Sequence, residues 1–147
     1  MKKTISALAI AAIVAISGPS ARAGVIVMDF REALNSDQIK SGLGDDVAFY
    51  LSGATTPVVR KSFQEVIGNS STIRWYGSGQ KPCMVVLLKV LQIMREQAKQ
   101  KGGNAVVNVI GYYKKKELVN SSMIECYTGA QVQGHIMLKG TVAEVER

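Results

Sequence analysis

The chain has 147 residues and a formal net charge of +7, with 47% hydrophobic and 20% charged residues. Residues 1 to 23 carry three of the 18 Lys and Arg residues and none of the 11 acidic residues, so the remainder has a net charge of about +4. This length predicts one globular domain with a buried core, and so mild a positive charge gives no electrostatic argument for a nucleic-acid ligand. We therefore expect no nucleic-acid partner.

Residues 1 to 23 have the pattern of a cleavable secretory signal peptide. Met1-Lys2-Lys3 is a basic head, Thr4 to Gly18 are nearly all apolar or small, and Ala21-Arg22-Ala23 is the small-x-small pattern that signal peptidase accepts. The alternative is an N-terminal membrane anchor that is never cut, although the apolar run is short for a membrane span. We expect a periplasmic or secreted protein in which residues 24 to 147 form a single domain without stable membrane insertion.

Three short strands are predicted in the first half of the exported chain, at Val25 to Met28, Val47 to Leu51 and Ser62 to Ile67. Segments rich in Gly, Ser, Asn and Asp separate the strands and indicate loops, at Asn35 to Asp46 and Gly68 to Lys81. The first loop ends in Asp45-Asp46, which would bind a hard cation only with further ligands and is interpreted as solvated.

An aromatic pair in the second loop is a candidate binding feature. Trp75-Tyr76 precedes the flexible run Gly77-Ser78-Gly79. The two rings either form a recognition edge for a peptide or a glycan, or they anchor the loop in the core. Both interpretations stay open, and Trp75 and Tyr76 are predicted to belong to a ligand or partner surface.

One long amphipathic helix is predicted from Pro82 to Lys101. Its apolar residues recur at three- and four-residue spacing, namely Met84, Leu87, Leu88, Leu91, Met94 and Ala98. Pro82 is favoured in a first helical turn, and Gly102-Gly103 can take the left-handed conformation that ends a helix.

The rest of the chain predicts strands. Asn104 to Tyr113 is rich in β-branched and aromatic residues, Lys114 to Ser122 is a polar connection, and Met123 to Tyr127 is a second strand. From Ala130 apolar and polar residues alternate strictly, and Gly140 is expected to bend this strand before Thr141 to Val145 continue it. The fold class is therefore α+β, with one long amphipathic helix packed on a largely antiparallel sheet.

Two polar features of these strands are candidate ligand or partner surfaces. Lys114-Lys115-Lys116 is a basic run, which indicates a solvated turn or attraction to an anionic lipid or cell-wall polymer. His135 lies on the outward face of the last strand and is interpreted as a surface residue, although a symmetric homo-oligomer would bring several copies together. Tyr112 and Tyr113 are expected to point their rings to opposite sheet faces.

Cys83 and Cys126 are the two cysteines of the chain. In an oxidising exported compartment, an even pair in a small domain indicates a disulfide, which here would close a loop of about 43 residues. The alternative is a reactive Cys83 thiol, because a position at the start of a helix lowers a thiol pKa. The chain has no C-x-x-C motif, so thiol redox catalysis is not expected.

The sequence lacks the patterns of catalytic and metal sites. Nucleophilic catalysis would need a cysteine paired with His135, or a serine in a G-x-S-x-G context that is absent. A zinc site needs three or four ligands, whereas the chain offers one histidine and two cysteines that are expected to be oxidised. We expect no enzyme activity, no cofactor and no metal site within a monomer.

The later half of the chain resembles the YbjQ-type family of small α+β proteins. The resemblance is carried by the order of an amphipathic helix, Gly102-Gly103-Asn104-Ala105-Val106-Val107, a strand, a loop, and a final strand with Gly140-Thr141-Val142. Phe63-Gln64-Glu65-Val66-Ile67-Gly68 is similar to the strand that precedes the helix in that family. The layout also resembles the periplasmic domain of the outer-membrane lipoprotein that senses envelope stress for the Rcs phosphorelay.

The resemblance implies a fold more directly than a function. YbjQ-type proteins are described as heavy-metal-binding and are thought to act as oligomers, and similar secreted proteins are often labelled as an excinuclease subunit. An excinuclease ATPase needs a G-x-x-x-x-G-K-[ST] phosphate cradle, which this sequence lacks. We therefore predict a non-catalytic binding or envelope-sensing module that contacts another envelope protein. The alternative is an oligomeric small-ligand or metal-binding protein.

Overall fold

The computed structural model describes residues 24 to 147. The signal-peptide prediction concerns residues 1 to 23 and lies outside this range. The elements of the described chain are, in order, β1 (Val25–Asp29), α1 (Phe30–Asn35), α2 (Asp37–Leu43), β2 (Ala48–Leu51), β3 (Val59–Thr72), α3 (Lys81–Gln100), β4 (Ala105–Tyr113), β5 (Lys116–Leu118), β6 (Met123–Tyr127) and β7 (Gly134–Val145). Between residues 24 and 147 no helix combines the length and the apolarity that crossing a membrane requires.

The α+β class is confirmed, because α3 packs on one face of a seven-stranded sheet. β7 is the central strand, and β3 pairs with it along one edge. On its other edge β7 pairs with β4 and, at the single pair Tyr127–His135, with β6. β1 extends the sheet from β6, while β2 and β5 both pair with β4. These pairs are antiparallel except β2–β4, so the sheet is largely antiparallel as predicted.

The first predicted loop is wrong, because Asn35 to Asp46 contains the helix α2. Ser36 caps this helix, since its Oγ accepts a hydrogen bond from the Ile39 N–H at 3.3 Å. Ile39 and Leu43, four residues apart, are buried against the core. A cap and a short apolar stripe therefore make a helix of residues whose composition is typical of a loop.

Three further boundaries differ from the sequence predictions. β3 continues to Thr72, so the first residues of the predicted loop from Gly68 are strand, held by pairing with β7 along its whole length. β5 forms inside the predicted polar connection, as the return strand of a hairpin with β4. β7 begins only at Gly134, and Ala130, which was expected on the core face, is exposed.

Gly140 does not interrupt the last strand, since β7 runs through it to Val145. The irregularity lies instead in β4, where the register with β7 shifts between Val107 and Ile110 and Asn108 has a φ of 52°. A Cβ at Gly140 would lie 2.7 Å from Val106 Cγ1. The glycine therefore leaves room for the bulged neighbour strand.

The apolar stripe of α3 forms the centre of the core. Its fully buried members face the sheet and are Cys83, Val86, Leu87, Val90, Leu91, Met94 and Ala98. The helix lies so close to β3 that a Cβ at Gly68 would be 2.7 Å from both Met94 Cγ and the Val90 carbonyl oxygen. The stripe is rotated from the predicted one, because Val86 and Val90 are buried while Met84 and Leu88 are only half-buried.

The predicted end of the long helix is confirmed. Gly102 has a φ of 78°, its N–H donates to the Lys99 carbonyl, and the Gly103 N–H donates to the Ala98 carbonyl, both at 3.0 Å. This is the Schellman arrangement, in which a left-handed glycine lets the last carbonyls of a helix be satisfied. The next residue, Asn104, then bonds both backbone groups of Val145 with its side-chain amide, at 2.8 and 3.0 Å.

The predicted disulfide between Cys83 and Cys126 is present and joins the first turn of α3 to β6. Both cysteines are fully buried in the core, and neither is a free thiol. The alternative of a reactive Cys83 is therefore wrong for the folded, oxidised chain. The bridge closes a loop of 43 residues, which restricts the unfolded chain and stabilises the fold.

Reduction of this bridge should lower the free energy of unfolding by up to about 4 kcal/mol, the size expected for a loop of 43 residues. Urea unfolding of the oxidised and reduced wild-type protein measures the difference. The Cys83→Ala/Cys126→Ala variant is the control, because it also removes the sulfur atoms from the core and should be at least as unstable as the reduced protein. Equal urea midpoints for oxidised and reduced protein would contradict the expectation.

Asp46 connects the segment after α2 to the outer side of α3. Its two carboxylate oxygens accept hydrogen bonds from Arg95 Nε and a second Arg95 nitrogen, at 2.6 and 2.7 Å, and Lys99 Nζ lies 3.3 Å away. The hydrogen bonds from Arg95 lower the pKa of Asp46 from 3.8 to about 2. Asp46 is thus an ion-pair partner of α3, whereas it had been expected to be a solvated loop residue.

The ion pair predicts a defined pH dependence of stability. Because the pKa of Asp46 is lower in the folded chain, the stabilisation is complete above pH 3.8 and is lost as the pH falls towards 2. Asp46→Asn should destabilise by roughly 1 kcal/mol near neutral pH, since the pair is partly exposed, and by almost nothing near pH 2. Urea unfolding across this range, with the exposed neighbour variant Asp45→Asn as control, tests it; a pH-independent difference would argue against an ionic origin.

Candidate functional site

The predicted surface residues all lie at one end of the sheet, namely Trp75, Tyr76, Lys114, Lys115, Lys116 and His135. Ser71 near the end of β3 and Tyr127 at the end of β6 are both paired with His135. The Tyr113 ring at the end of β4 lies 5.8 Å from the His135 ring. We call this surface the basic end and define it by its exposed cations and apolar side chains, which are Arg74, Lys81, Lys114, Lys115, Lys116, Ile73 and Trp75.

One glutamine fixes the loop after β3 to the start of β7. The Tyr76 N–H donates to Gln133 Oε1 at 3.0 Å, and Gln133 Nε2 donates to the Gly77 carbonyl at 3.1 Å. Tyr76 is half-buried, whereas Trp75 is 80% exposed and Ile73 is 81% exposed. The two residues of the aromatic pair therefore differ. Tyr76 is partly packed, as the loop-anchor interpretation expects, and Trp75 projects into solvent, as a recognition edge would require.

The basic hairpin has an unfavourable turn. Lys114 and Lys115 connect Tyr113 to its pairing partner Lys116, and their φ angles are 47° and 63°. A two-residue turn with two positive φ angles has the geometry of type I′, which strongly favours Asn-Gly because side chains with a Cβ are strained there. Both lysines therefore occupy turn positions that are unfavourable for a residue with a Cβ.

His135 is half-buried on the sheet face that α3 leaves uncovered. Its Nε2 lies within hydrogen-bond distance of Asn69 Oδ1, at 2.7 Å. The ring makes an edge contact with Tyr113, which stacks on Tyr127 with 3.6 Å between the ring centroids. Burial lowers the pKa of His135 below its usual value. His135 is therefore a packed residue, not a plain surface residue.

Tyr112 and Tyr113 do not lie on opposite faces. Lys139 Nζ is 5.0 Å from the Tyr112 ring centroid, and Lys139 and His135 share the outer face of β7. Pairing of β4 with β7 ends at Gly111, while Tyr112 and Tyr113 still pair with β5, so the twist of this hairpin can turn Tyr113 towards β6. Glu117 accepts a 2.6 Å hydrogen bond from Lys139, which raises the lysine pKa.

No group of three or more His, Cys, Asp or Glu side chains within residues 24 to 147 is arranged to hold a metal ion. His135 brings one imidazole, whose Nε2 is already hydrogen-bonded to Asn69. A zinc site needs three or four protein ligands, so His135 alone does not form one. The suggestion that copies of His135 meet in a symmetric oligomer stays a prediction.

A cleft of about 860 Å³ opens at the other end of β1 and β6. Its apolar lining includes Phe30, Phe49 and Leu51, which belong to the main core, together with the half-buried Leu34 and Ala54. The other lining residues carry polar groups and are Asp29, Arg31, Glu32, Asn35, Tyr50, Thr55, Ser121 and Ser122. The volume lies in the range of small-molecule sites, and the lining combines buried apolar residues with an extensive polar rim.

Backbone and side-chain bonds hold the cleft walls in place. Asp29 Oδ1 accepts a 2.8 Å hydrogen bond from the Glu32 N–H and begins α1, and the Phe30 N–H donates to the Ser122 carbonyl at 2.9 Å. On the opposite wall the Ala54 N–H donates to the Leu51 carbonyl at 3.0 Å. The cleft is thus formed by ordered segments before any ligand enters, which lowers the entropic cost of binding.

Sequence reasoning missed this cleft completely. Its lining comes from three segments far apart in the chain, around residues 29–35, 49–55 and 121–122. The available signal was local: Asp29, followed three residues later by Glu32, is an N-cap pattern that predicts a helix start. That pattern could have revealed α1, but not the β2 and β6 ends that face it.

The comparisons with known proteins add no assignment. No protein-family model matches the chain, and a search of curated proteins finds no match.

Proposed function

We propose that this protein is an exported, non-catalytic binding module that takes a small amphipathic molecule into the cleft beside α1. The cleft carries the proposal, because it offers about 860 Å³ over an apolar floor with polar groups at its rim. The ligand class follows from this lining: a body that covers Phe49 and Leu34, and polar or charged groups that reach Arg31, Asn35 or Thr55.

Two observations support the absence of catalysis in this proposal. The cysteines, which are the strongest nucleophiles of the chain, are joined in a buried disulfide. The single histidine lies at the basic end and does not line the cleft, so the cleft has no imidazole to act as a general base. Two carboxylates line the cleft: Asp29 caps α1, and Glu32 is exposed in the first turn of that helix.

The disulfide also supports the proposed compartment, since such bonds persist in oxidising, exported environments. The signal-peptide pattern of residues 1 to 23 agrees with it. A role in envelope sensing, with another envelope protein as partner, and the YbjQ-type resemblance stay predictions.

Ligand entry is testable by NMR with three defined probes: phenylacetate, phenethylamine and N-acetylglucosamine. A charged aromatic probe should shift backbone amide signals of residues 29–35, 49–55 and 121–122, with dissociation constants on the order of 1 mM for such small molecules. Arg31→Gln should weaken phenylacetate several-fold, because it removes the cation at the rim, and should leave phenethylamine binding unchanged or stronger.

Lys40→Gln is the matched control for this charge, because Lys40 is an exposed cation of α2 that does not line the cleft. It should leave the binding of all three probes unchanged. Signal changes confined to other surfaces, or none with any probe, would reject the cleft as a binding site.

Export is tested separately by mass spectrometry of protein taken from the periplasm of an expressing bacterium. We expect a chain that starts at Gly24 and takes up a thiol-alkylating reagent only after reduction, because signal peptidase removes residues 1 to 23 and the disulfide then forms. Recovery of the uncut chain from the cytoplasm, with two alkylated thiols, would reject export whatever the cleft binds.

A further inference from the structure

We propose that the basic end docks the protein on the surface of an anionic phospholipid bilayer. Trp75 and Ile73 would lie at the level of the headgroups, and the surrounding lysines and arginine would face the lipid phosphates. The cleft opens at the far end of β1 and β6, about 15 Å away along these strands, so docking leaves it accessible. Ligand binding in the cleft and docking are therefore independent.

The charge distribution favours an anionic partner. Three chain segments meet at the basic end, and none of them contains Asp or Glu: residues 66–95, 97–116 and 126–143. Two acidic residues close to this end are already engaged, since Glu117 accepts from Lys139 and Glu125 accepts from the Tyr127 hydroxyl, both at 2.6 Å. Among the residues described by the structure, none of the five cations of the basic end is part of a salt bridge.

The apolar residues of this end indicate a bilayer as the source of the negative charge. Trp75 and Ile73 are about 80% exposed and flank Arg74 in a loop that Gln133 holds to the sheet. Tryptophan is enriched at membrane–water interfaces, where its ring covers acyl chains and its N–H stays hydrated. A soluble phosphate would use the cations but would leave these two side chains in water.

The strained hairpin is an independent indication that the lysines are kept for their charge. Lys114 and Lys115 both have positive φ, where Asn-Gly would form the more stable turn. Strained residues that persist in a structure point to a function of their side chains. At this turn the side chains carry two positive charges to the tip of the basic end.

The start of the described chain also lies at this end. Gly24 is the first described residue, and its carbonyl accepts a 2.7 Å hydrogen bond from the Thr128 N–H, directly after β6. Three strand spacings separate β1 from β3, about 15 Å, so Gly24 and the Trp75 loop belong to one small surface.

The test is binding to vesicles of phosphatidylethanolamine and phosphatidylglycerol, compared with vesicles of phosphatidylcholine. Trp75 is the single tryptophan of the chain, so its fluorescence reports on this surface directly. We expect co-sedimentation and a blue-shifted emission with the anionic vesicles only, both weakened by added salt.

Variants identify the surface. Lys114→Asn/Lys115→Gly should raise the melting temperature by relaxing the turn. It should nevertheless reduce vesicle binding about 25-fold, because each lysine contributes roughly fivefold. Trp75→Ser should also reduce binding. Lys40→Gln/Lys89→Gln is the matched control, since it removes the same charge from exposed positions on α2 and α3 and should change binding much less. All variants are compared as the chain that starts at Gly24, so residues 1 to 23 do not contribute to vesicle binding.

Three outcomes would overturn the proposal. The first is equal binding of the hairpin variant and the control variant, which would assign binding to net charge. The second is co-sedimentation without a change in Trp75 emission. The third is tight binding of soluble polyphosphate together with failure to bind anionic vesicles, which would make the partner a soluble polyanion.

Discussion

The close packing of α3 on β3 and β7 is the constraint on which the other features depend. Val86, Val90 and Met94 are fully buried under the sheet, and Gly68 is present where a Cβ would overlap Met94 and the α3 backbone. Gly68 therefore allows α3 to approach the sheet closely at this position. That position places Cys83 against β6, closes the disulfide, and puts the start of α3 at the end of the sheet where the lysines lie.

Much of this packing was predictable because its signals are local. The spacing of apolar residues in α3, the glycines that end it, and the β-branched residues of β4 each act over a few positions, so a single sequence contains them. The disulfide followed from a count of two cysteines. β3 was underestimated for the opposite reason: Asn69, Ser70 and Ser71 have weak strand propensity, and pairing with β7, some 65 residues later, decides their conformation.

The two candidate surfaces also depend partly on local sequence signals and partly on contacts between distant segments. Trp75, the lysine run and His135 could each be identified as unusual residues, but only the topology of the sheet brings them to one end. The cleft had no such local mark, because its floor consists of ordinary core residues such as Phe49 and its walls come from three distant segments. Loops and strand ends that meet in space can therefore form a site that no single stretch of sequence predicts.

The two surfaces lie at opposite ends of the short strands β1 and β6, and this arrangement has a physical consequence. The disulfide ties β6 to α3, so both ends belong to one rigid unit. If lipid phosphates hold the basic end, the cleft must face away from the bilayer, towards molecules in the surrounding solution. Loss of the strained lysine turn would then leave the cleft and the core intact but remove the orientation, since the fold does not need those lysines, and their strain opposes it.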